Sequence, residues 1–426
     1  MHPAHIILGI IVALSIAFML VRPRGIAEIW WVGSGAIALV VFRLIPLRLA
    51  GSAIAEGTDV YLFLIGMMLL SELAREHGVF DWLSSVAAHH SRRSASRLFT
   101  LIYLIGIAVT ALLSNDATAV VLTPAVLAAV RKTRVSPLPY LFACALIANA
   151  ASFILPISNP ANLVVYDRSI PPLAHWLLAF AAPSIVSIVI TYWTLRYLFK
   201  KELAETTDPE SESETTNDSL SPSGKLVLLS IALTAVILIT ASSLGKDLGL
   251  PTCLCAVAFT AFLSLRTRTS PTRLLREISW STIALVAALF ILVRAVETIG
   301  ALHMSQAALL WAVHQNEWIG ALVASFAVGI ANNIVNNLPL GLIAGSAVRS
   351  THTSGLLALS VLIGIDLGPN LSVTGSLATI LWLIALRREQ QHVTFWSFLR
   401  IGVIAMPLAL FGAIGTALLT HMLLGG

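Results

Sequence analysis

The segment LLSNDATAVVLTP (residues 112–124) places Ser114, Asn115 and Asp116 between two apolar runs, IGIAVTALL before them and AVVL after them. Burying polar groups in apolar surroundings costs free energy unless they are hydrogen-bonded, and a carboxylate costs more than an amide. A carboxylate inside a membrane segment therefore indicates a functional site by default. Whether this segment lies in a membrane is decided by the chain around it.

The composition of the whole chain is typical of a membrane protein. Of 426 residues, 57% are hydrophobic and 11% are charged, less than half the charged fraction of an ordinary soluble domain. Apolar stretches of helix-spanning length recur from end to end, and the alternation of a membrane β-barrel is absent. We therefore predict an all-α polytopic membrane protein.

The chain carries few of the signatures of enzymes or metal sites. Its three cysteines lie in apolar segments, and the Cys253-Leu-Cys255 spacing does not suit a zinc pair, so no metal or cofactor is expected. Neither a GxxxxGK[ST] phosphate loop nor an HExxH motif occurs. An ATPase and a metalloprotease are thereby disfavoured, and we do not expect an enzyme.

Ten transmembrane helices are predicted, five on each side of one long polar stretch. They lie at about 5–21, 27–45, 58–76, 137–165, 177–199, 225–243, 250–265, 281–299, 354–386 and 400–424. The polar stretch, 200–224, is acidic and rich in Ser and Thr, and is expected to be a disordered linker. It separates a first repeat, 1–199, from a second repeat, 225–426.

Two further apolar regions, at about 98–130 and 317–348, are too long for one helix and are polar in the middle. We predict that each is a re-entrant hairpin, which enters the membrane and leaves on the same side. With this topology and both termini outside, 20 of the 26 Lys and Arg residues fall on the cytoplasmic side together with the linker. That distribution agrees with the positive-inside rule.

The two halves also resemble each other in sequence. An offset of 222 aligns Gly78 with Gly300 and Asn115 with Asn337, and an offset of 217 aligns PISNPANL (156–163) with VTGSLATI (373–380). Because the second half begins on the opposite side of the membrane, the halves form an inverted-topology repeat. Interrupted helices at matching positions in such repeats indicate where a secondary transporter binds its substrate.

Four interruptions are predicted to meet at one cavity: SNDAT (114–118), PISNPAN (156–162), NNIVNNLP (332–339) and DLGPN with TGS (366–370 and 374–376). Each amide or hydroxyl alone has a structural alternative, a hydrogen bond to a neighbouring helix. Asp116 and Asp366 indicate function more strongly, since burial favours a protonated carboxyl that can carry a proton. Asp366 has the further alternative of capping a half-helix. Glu72 and Arg294 occupy matching repeat positions, and we expect them to form an ion pair; the alternative is a role in anion binding or gating.

The motifs LLSNDATAVVLTP, ILPISNPANL, NNLP and IDLGPNLSVTGSLATILWL together resemble the arsenite efflux permeases of the ion transporter superfamily, along essentially the whole chain. The resemblance implies a scaffold with a mobile transport domain, export of trivalent arsenite and antimonite as neutral trihydroxides in exchange for protons, and arsenic resistance. It also implies a bacterial or archaeal plasma membrane and, in some members, a soluble ATPase subunit on the cytoplasmic side.

The same resemblance implies two sets of site residues. Substrate binding is assigned to Asn115, Thr118, Ser158, Asn159, Asn162, Asn336, Asn337, Thr374 and Ser376, and proton coupling to Asp116 and Asp366. The interruptions contain no Lys or Arg, which favours a neutral substrate that hydrogen-bonds to amides and hydroxyls over a multivalent anion. The alternative is a sodium/proton antiporter or an anion symporter of the same superfamily.

Overall fold

The computed structural model describes residues 3–166, 170–204, 219–268, 270–300, 302–351 and 355–424. Every regular element among them is helical, which confirms the predicted all-α class. Residues 205–218, most of the predicted linker, lie outside the described residues.

Twenty α-helices occur in the described ranges. In chain order they are α1 (Pro3–Val21), α2 (Glu28–Val41), α3 (Leu47–Glu56), α4 (Thr58–Glu76), α5 (Val79–His90), α6 (Ala95–Leu112), α7 (Thr123–Lys132), α8 (Leu138–Ala150), α9 (Pro160–Tyr166), α10 (Leu173–Leu198), α11 (Pro222–Ser243), α12 (Gly249–Thr267), α13 (Thr272–Glu277), α14 (Trp280–Thr298), α15 (Leu302–Val313), α16 (Glu317–Val335), α17 (Asn337–Ser350), α18 (Leu356–Leu367), α19 (Leu377–Arg388) and α20 (Phe395–Leu424).

Seven of the described helices are long and apolar enough to cross a membrane, and an eighth span results if α3 and α4, which meet at 47°, are counted together. Several shorter apolar helices, among them α2, α8 and α18, fall below that length. The helices confirm a polytopic membrane protein.

The order of elements recurs in the second half of the chain. The starts of α4 and α14, of α6 and α16, and of α10 and α20 are each 222 residues apart, and those of α9 and α19 are 217 apart. These are the offsets that align the two halves in sequence. The similarity of the halves is therefore also a similarity of secondary structure.

Packing crosses between the halves. Helix α4 packs on α12 and α14 packs on α2, while the repeat-related helices α10 and α20 pack on each other. Gly66 permits the first of these contacts, because a Cβ at this position would collide with the backbone of Thr252 and Cys253. We call α1–α4 and α11–α14 the scaffold helices, which flank α6–α9 and α16–α19.

Four short helices lie between the predicted spans and hairpins, where no helix is predicted: α3, α5, α13 and α15. Helix α5 illustrates why: Val79, Phe80, Ala87 and Ala88 share its buried face while His89 and His90 are exposed. Such amphipathic segments are too short and too polar for hydropathy to identify them as transmembrane spans.

Candidate functional site

Helix is interrupted at all four predicted places. Helix α6 ends at Leu112, and after residues 113–116 the chain continues through a π-helical turn, Ala117–Leu122. Helix α16 ends at Val335, and the next residue, Asn336, has a φ of 79°, which is unfavourable for a residue with a side chain. Each hairpin region thus contains two helices that meet at the predicted polar tip.

The other two interruptions are repeat-related and are built alike. A 3-10 turn precedes each half-helix, Pro156–Ser158 before α9 and Val373–Gly375 before α19. The side chain of Asn159 then accepts a hydrogen bond from the N–H of Ala161 at 3.0 Å, and that of Ser376 accepts one from Ala378 at 3.1 Å. Both residues are therefore N-caps of buried half-helices.

The two interrupted helices are joined where they cross. Asn159 Nδ2 donates to Asp366 Oδ1 at 2.8 Å, and Asn149 Nδ2 donates to Asn370 Oδ1 at 2.9 Å. Asn370 Nδ2 in turn donates to the carbonyl of Leu146 at 3.1 Å. Asp366 is completely buried, and within the described part of the chain its Oδ2 accepts no hydrogen bond.

The second hairpin is held to the fourth interruption by amides. Asn332 Nδ2 donates to the carbonyls of Gly364 and Ile365 at 3.0 and 2.8 Å. Asn333 Nδ2 donates to the carbonyl of Gly368 at 3.0 Å, and Asn333 Oδ1 accepts from Ser372 at 2.7 Å.

Two residues of the predicted set complete this connection. Asn336 Nδ2 donates to the carbonyl of Thr374 at 3.3 Å, and Thr374 Oγ1 donates to the carbonyl of Asn333 at 2.9 Å. Asn337 is buried, and among the described residues its Oδ1 has no hydrogen-bond partner.

The first hairpin is held by fewer hydrogen bonds. Ser158 Oγ donates to the carbonyl of Ala111 at 3.2 Å, while Thr118 Oγ1 bonds to Thr110 within the hairpin at 2.8 Å. Asn115 Oδ1 accepts from the N–H of Asp116 at 2.9 Å. Over the described ranges, the Asp116 carboxylate has neither a hydrogen bond nor an ion pair, so it is available to a solute or a proton.

A cavity of about 140 Å³ lies beside this tip. Its polar walls are Ser71 and Glu72 of α4, Ser114 and Asp116 of the tip, Glu277 at the end of α13, Ser279 before α14 and Thr282 in its first turn. The remaining lining residues are apolar and belong to α4, the π-helical turn, α9 and α19, and no Lys, Arg or Cys is among them. Among the described residues, the lining therefore offers carboxylates and hydroxyls to a small solute, and the cation beside it, Arg75, is paired with Glu72.

Of the eleven predicted site residues, Asp116 alone lines this cavity. Thr118, Ser158, Asn159, Asn162, Asp366 and Ser376 are buried and bonded within the crossing and the hairpins. Sequence reasoning missed the structural amide Asn149, and it placed Asn332 and Asn333 in the third interruption without assigning them to the site. The signal for Asn149 was available, since it is an amide in an apolar helix close to an interruption.

The expected ion pair between Glu72 and Arg294 is wrong. Glu72 pairs with Arg75 on its own helix, while Arg294 pairs with Glu56 and, at 3.0 Å, with Glu297. The reason is geometric: α4 and α14 run antiparallel, so matching repeat positions lie at opposite ends of the pair. Glu72 is at the end that borders the cavity, and Arg294 is at the other end.

Known proteins resemble the chain over most of its length. A model of the CitMHS family, described as citrate transporter, matches residues 6–365. The arsenical pump membrane protein of Escherichia coli K12 is 26% identical over 424 residues, covering 95% of this chain and 96% of that protein. That of Yersinia enterocolitica is 27% identical over 429 residues, with the same coverage.

A solved structure shares the fold. The YdaH transporter of Alcanivorax borkumensis superposes with a TM-score of 0.52 at 13% identity, covering 88% of this chain and 87% of that one. Together these similarities confirm the resemblance to arsenical pump membrane proteins. The chain belongs to the CitMHS citrate transporter family and is a multi-pass membrane transporter.

Proposed function

We propose that the protein exports trivalent arsenite and antimonite from the cytoplasm in exchange for protons and thereby confers arsenic resistance. One observation carries the proposal: Asp116, unpaired at the first hairpin tip, borders a small cavity that has hydroxyls and carboxylates but no cation. Near-full-length similarity to arsenical pump membrane proteins supports the choice of substrate.

The cavity chemistry fits a neutral trihydroxide. Near neutral pH the hydroxyl groups of such a solute can both donate to carboxylates and accept from Ser and Thr. A site that captured arsenic through thiols would need several cysteines, and this cavity has none in its lining. Asn115 and Asn337 lie at or next to the tips, and we propose that they and the other predicted substrate residues complete the site as the hairpins move.

Asp116 is the better candidate for the coupling proton. It faces the cavity, so a proton and a solute can compete for the same space, which is what antiport requires. Asp366 is completely buried and already accepts a hydrogen bond from Asn159. We propose that Asp366 keeps the crossing neutral by remaining protonated, because none of the ion pairs among the described residues involves it.

We further propose ten transmembrane helices and two re-entrant hairpins in two inverted repeats, 1–199 and 225–426, joined by the linker 200–224. The recurring element order and the helix interruptions support this topology.

With both termini outside, the cavity opens toward the cytoplasm, since Arg75, Arg131 and Arg387 mark the same end of the molecule. The proposed location is a bacterial or archaeal plasma membrane, with an ATPase subunit as a possible cytoplasmic partner.

Citrate, the substrate in the family description, is the second candidate. A tricarboxylate is larger than a trihydroxide and needs cations to offset its charge. Three carboxylates and no Lys or Arg line the cavity, so an anion symporter is disfavoured. A sodium/proton antiporter remains the other alternative within the superfamily.

Everted membrane vesicles test substrate and coupling together. We expect arsenite uptake when a proton gradient is imposed, and loss of uptake when an uncoupler removes it. Vesicles from cells lacking the protein are the control. Uptake that is indifferent to the uncoupler, or that follows a sodium gradient, would contradict proton exchange, and citrate uptake without arsenite uptake would contradict the substrate.

A further inference from the structure

A second cavity, of about 770 Å³, lies at the end of α4 that begins with Thr58, away from Asp116. It is formed by the start of α4, the last turns of α11, the loop 244–248 and the start of α12, and it is bordered by the end of α3 and by Leu163 of α9. We call it the α4–α11 crevice. Within the described part of the chain its lining includes none of the eleven predicted site residues, so it is separate from the proposed transport site.

The long wall of the crevice is apolar and faces lipid. Along α11 the lining runs from Val236 to Leu244, which is about 12 Å at a rise of about 1.5 Å per residue. One leaflet of a bilayer supplies about 15 Å of hydrocarbon, half of the whole core. Val236, Leu244 and Leu250 are 57%, 69% and 54% exposed. The crevice thus has the length and the apolarity that suit a lipid acyl chain.

Charged side chains mark the rim of the crevice, where α3, α4 and the loop after α11 meet: Glu56, Asp59, Lys246 and Asp247. The rim lies at the membrane surface, because Lys246 and Asp247 are in the short loop between α11 and α12, both of which are long and apolar enough to cross a membrane. The crevice therefore leads from a charged rim at the surface into the hydrocarbon layer.

Two of the four rim charges are engaged within the protein. Glu56 pairs with Arg294, and Asp59 Oδ1 accepts a hydrogen bond from the N–H of Gly249 at 2.7 Å. Lys246 and Asp247 take part in none of the ion pairs among the described residues. The rim therefore presents one cation and one carboxylate, and a ligand that carries one negative and one positive group complements them.

Direct packing of helices fixes the shape of the crevice. A Cβ at Gly249 would collide with the carbonyl of Asp59, so the start of α12 lies against α4 without an intervening side chain. On the opposite border Leu163 is buried and lies four residues after Asn159, the N-cap of α9. A chain lodged in the crevice would therefore touch both the scaffold and an interrupted helix.

We propose that the α4–α11 crevice binds a membrane phospholipid with a primary-amine headgroup. One acyl chain lies along α11, the phosphate accepts hydrogen bonds from the Lys246 ammonium, and the headgroup ammonium donates to the Asp247 carboxylate. A choline headgroup has no N–H to donate, and a glycerol headgroup leaves Asp247 without a cation. The proposal is independent of the transported substrate.

Native mass spectrometry of the full chain, purified in detergent and stripped of lipid, tests the proposal. The probes are phosphatidylethanolamine, phosphatidylcholine and phosphatidylglycerol with identical acyl chains, each titrated separately. The measured quantity is the fraction of protein with one lipid bound. Phosphatidylethanolamine should bind about tenfold more tightly than the other two, as expected from one additional hydrogen bond between charged groups.

Three variants separate the headgroup contacts from the chain contact. Asp247→Asn should weaken binding of phosphatidylethanolamine about tenfold and leave phosphatidylcholine unchanged. Lys246→Gln should weaken all three lipids, because each has a phosphate. Val236→Trp fills the apolar part of the crevice and should also weaken all three.

The chain offers a matched control for each kind of change. Leu229→Trp adds the same ring to an exposed position of α11 that is about 10 Å from Val236 along the helix and outside the lining. Glu317→Gln neutralises an exposed carboxylate at the start of α16. Both controls should bind the three lipids like the parent, and thermal unfolding in detergent verifies that every variant is folded.

Equal affinity of the parent for the three lipids would overturn the proposal, as would unchanged binding of phosphatidylethanolamine in Asp247→Asn and Val236→Trp. A second copy of the chain in place of lipid, seen as a dimer that Val236→Trp dissociates, would also overturn it. Because lipid binding is measured without arsenite or a proton gradient, its failure is distinguishable from failure of the proposed function.

Discussion

The two hairpin tips occupy equivalent places in the repeats but have opposite surroundings. The second tip is tied down by Asn332, Asn333 and Asn336, which bond to the interrupted helix behind it. Among the described residues, the first tip has one such bond, from Ser158 to Ala111, and the Asp116 carboxylate there has no hydrogen bond or ion pair. The second hairpin is therefore fixed by amide hydrogen bonds, whereas the first can respond to a solute.

The repeat alignment shows where this asymmetry arises. At the offset of 222, Asn333 corresponds to Ala111 and Leu338 corresponds to Asp116. The amide that fixes the second hairpin and the carboxylate that marks the first have no counterparts. Substitutions at these positions therefore test the comparison directly.

The largest effect is expected from Asp116→Asn. It removes the proton carrier while leaving every hydrogen bond in the described structure intact, so folding should be retained and proton-driven arsenite uptake should fall to background. Asp366→Asn should reduce uptake less, since its amide oxygen can still accept from Asn159. Uptake assays in vesicles, with protein amounts matched by immunoblot, make the measurement. Full uptake by Asp116→Asn would remove this residue from coupling.

Asn333→Ala should destabilise the protein by about 2 kcal/mol, because it removes the hydrogen bonds to the Gly368 carbonyl and from Ser372 that hold the second hairpin. Ser158→Ala removes a single hydrogen bond from the first hairpin and should cost about 0.6 kcal/mol, a typical value inside a membrane protein. Thermal unfolding in detergent compares them. Equal losses of unfolding free energy in the two variants would mean that the two hairpins are held equally firmly.

The last comparison concerns the two amides that join the interrupted helices where they cross, Asn149 and Asn370. Asn149→Ala and Asn370→Ala should each cost about 1 kcal/mol by leaving the partner amide buried and unpaired. Together they should cost less than the sum, because each single variant already breaks the same bond. Additive losses in the same unfolding assay would show that the pair does not act as a unit.

Much of the fold was predictable because hydropathy and proline act locally. The spans and the four interruptions follow from apolar length and from Pro156, Pro160, Pro339 and Pro369. The short amphipathic helices were missed because they are too short and too polar to register as spans. The incorrect ion pair between Glu72 and Arg294 had a different origin. A repeat alignment matches positions along two helices, but when the helices pack antiparallel the matched residues lie at opposite ends of the pair.

By itself, the sequence determined the helical class, the interruptions and the presence of a carboxylate at one tip, because these depend on residue type and spacing along one chain. The tertiary structure decided that Asp116 borders a cavity while Asp366 is enclosed beside Asn159, and that Glu297 contacts Ser346. Those relations join residues from different helices. They depend on which helix faces pack together. The hydrophobic pattern does not specify these faces, because helices that are apolar all round have no polar face to orient them.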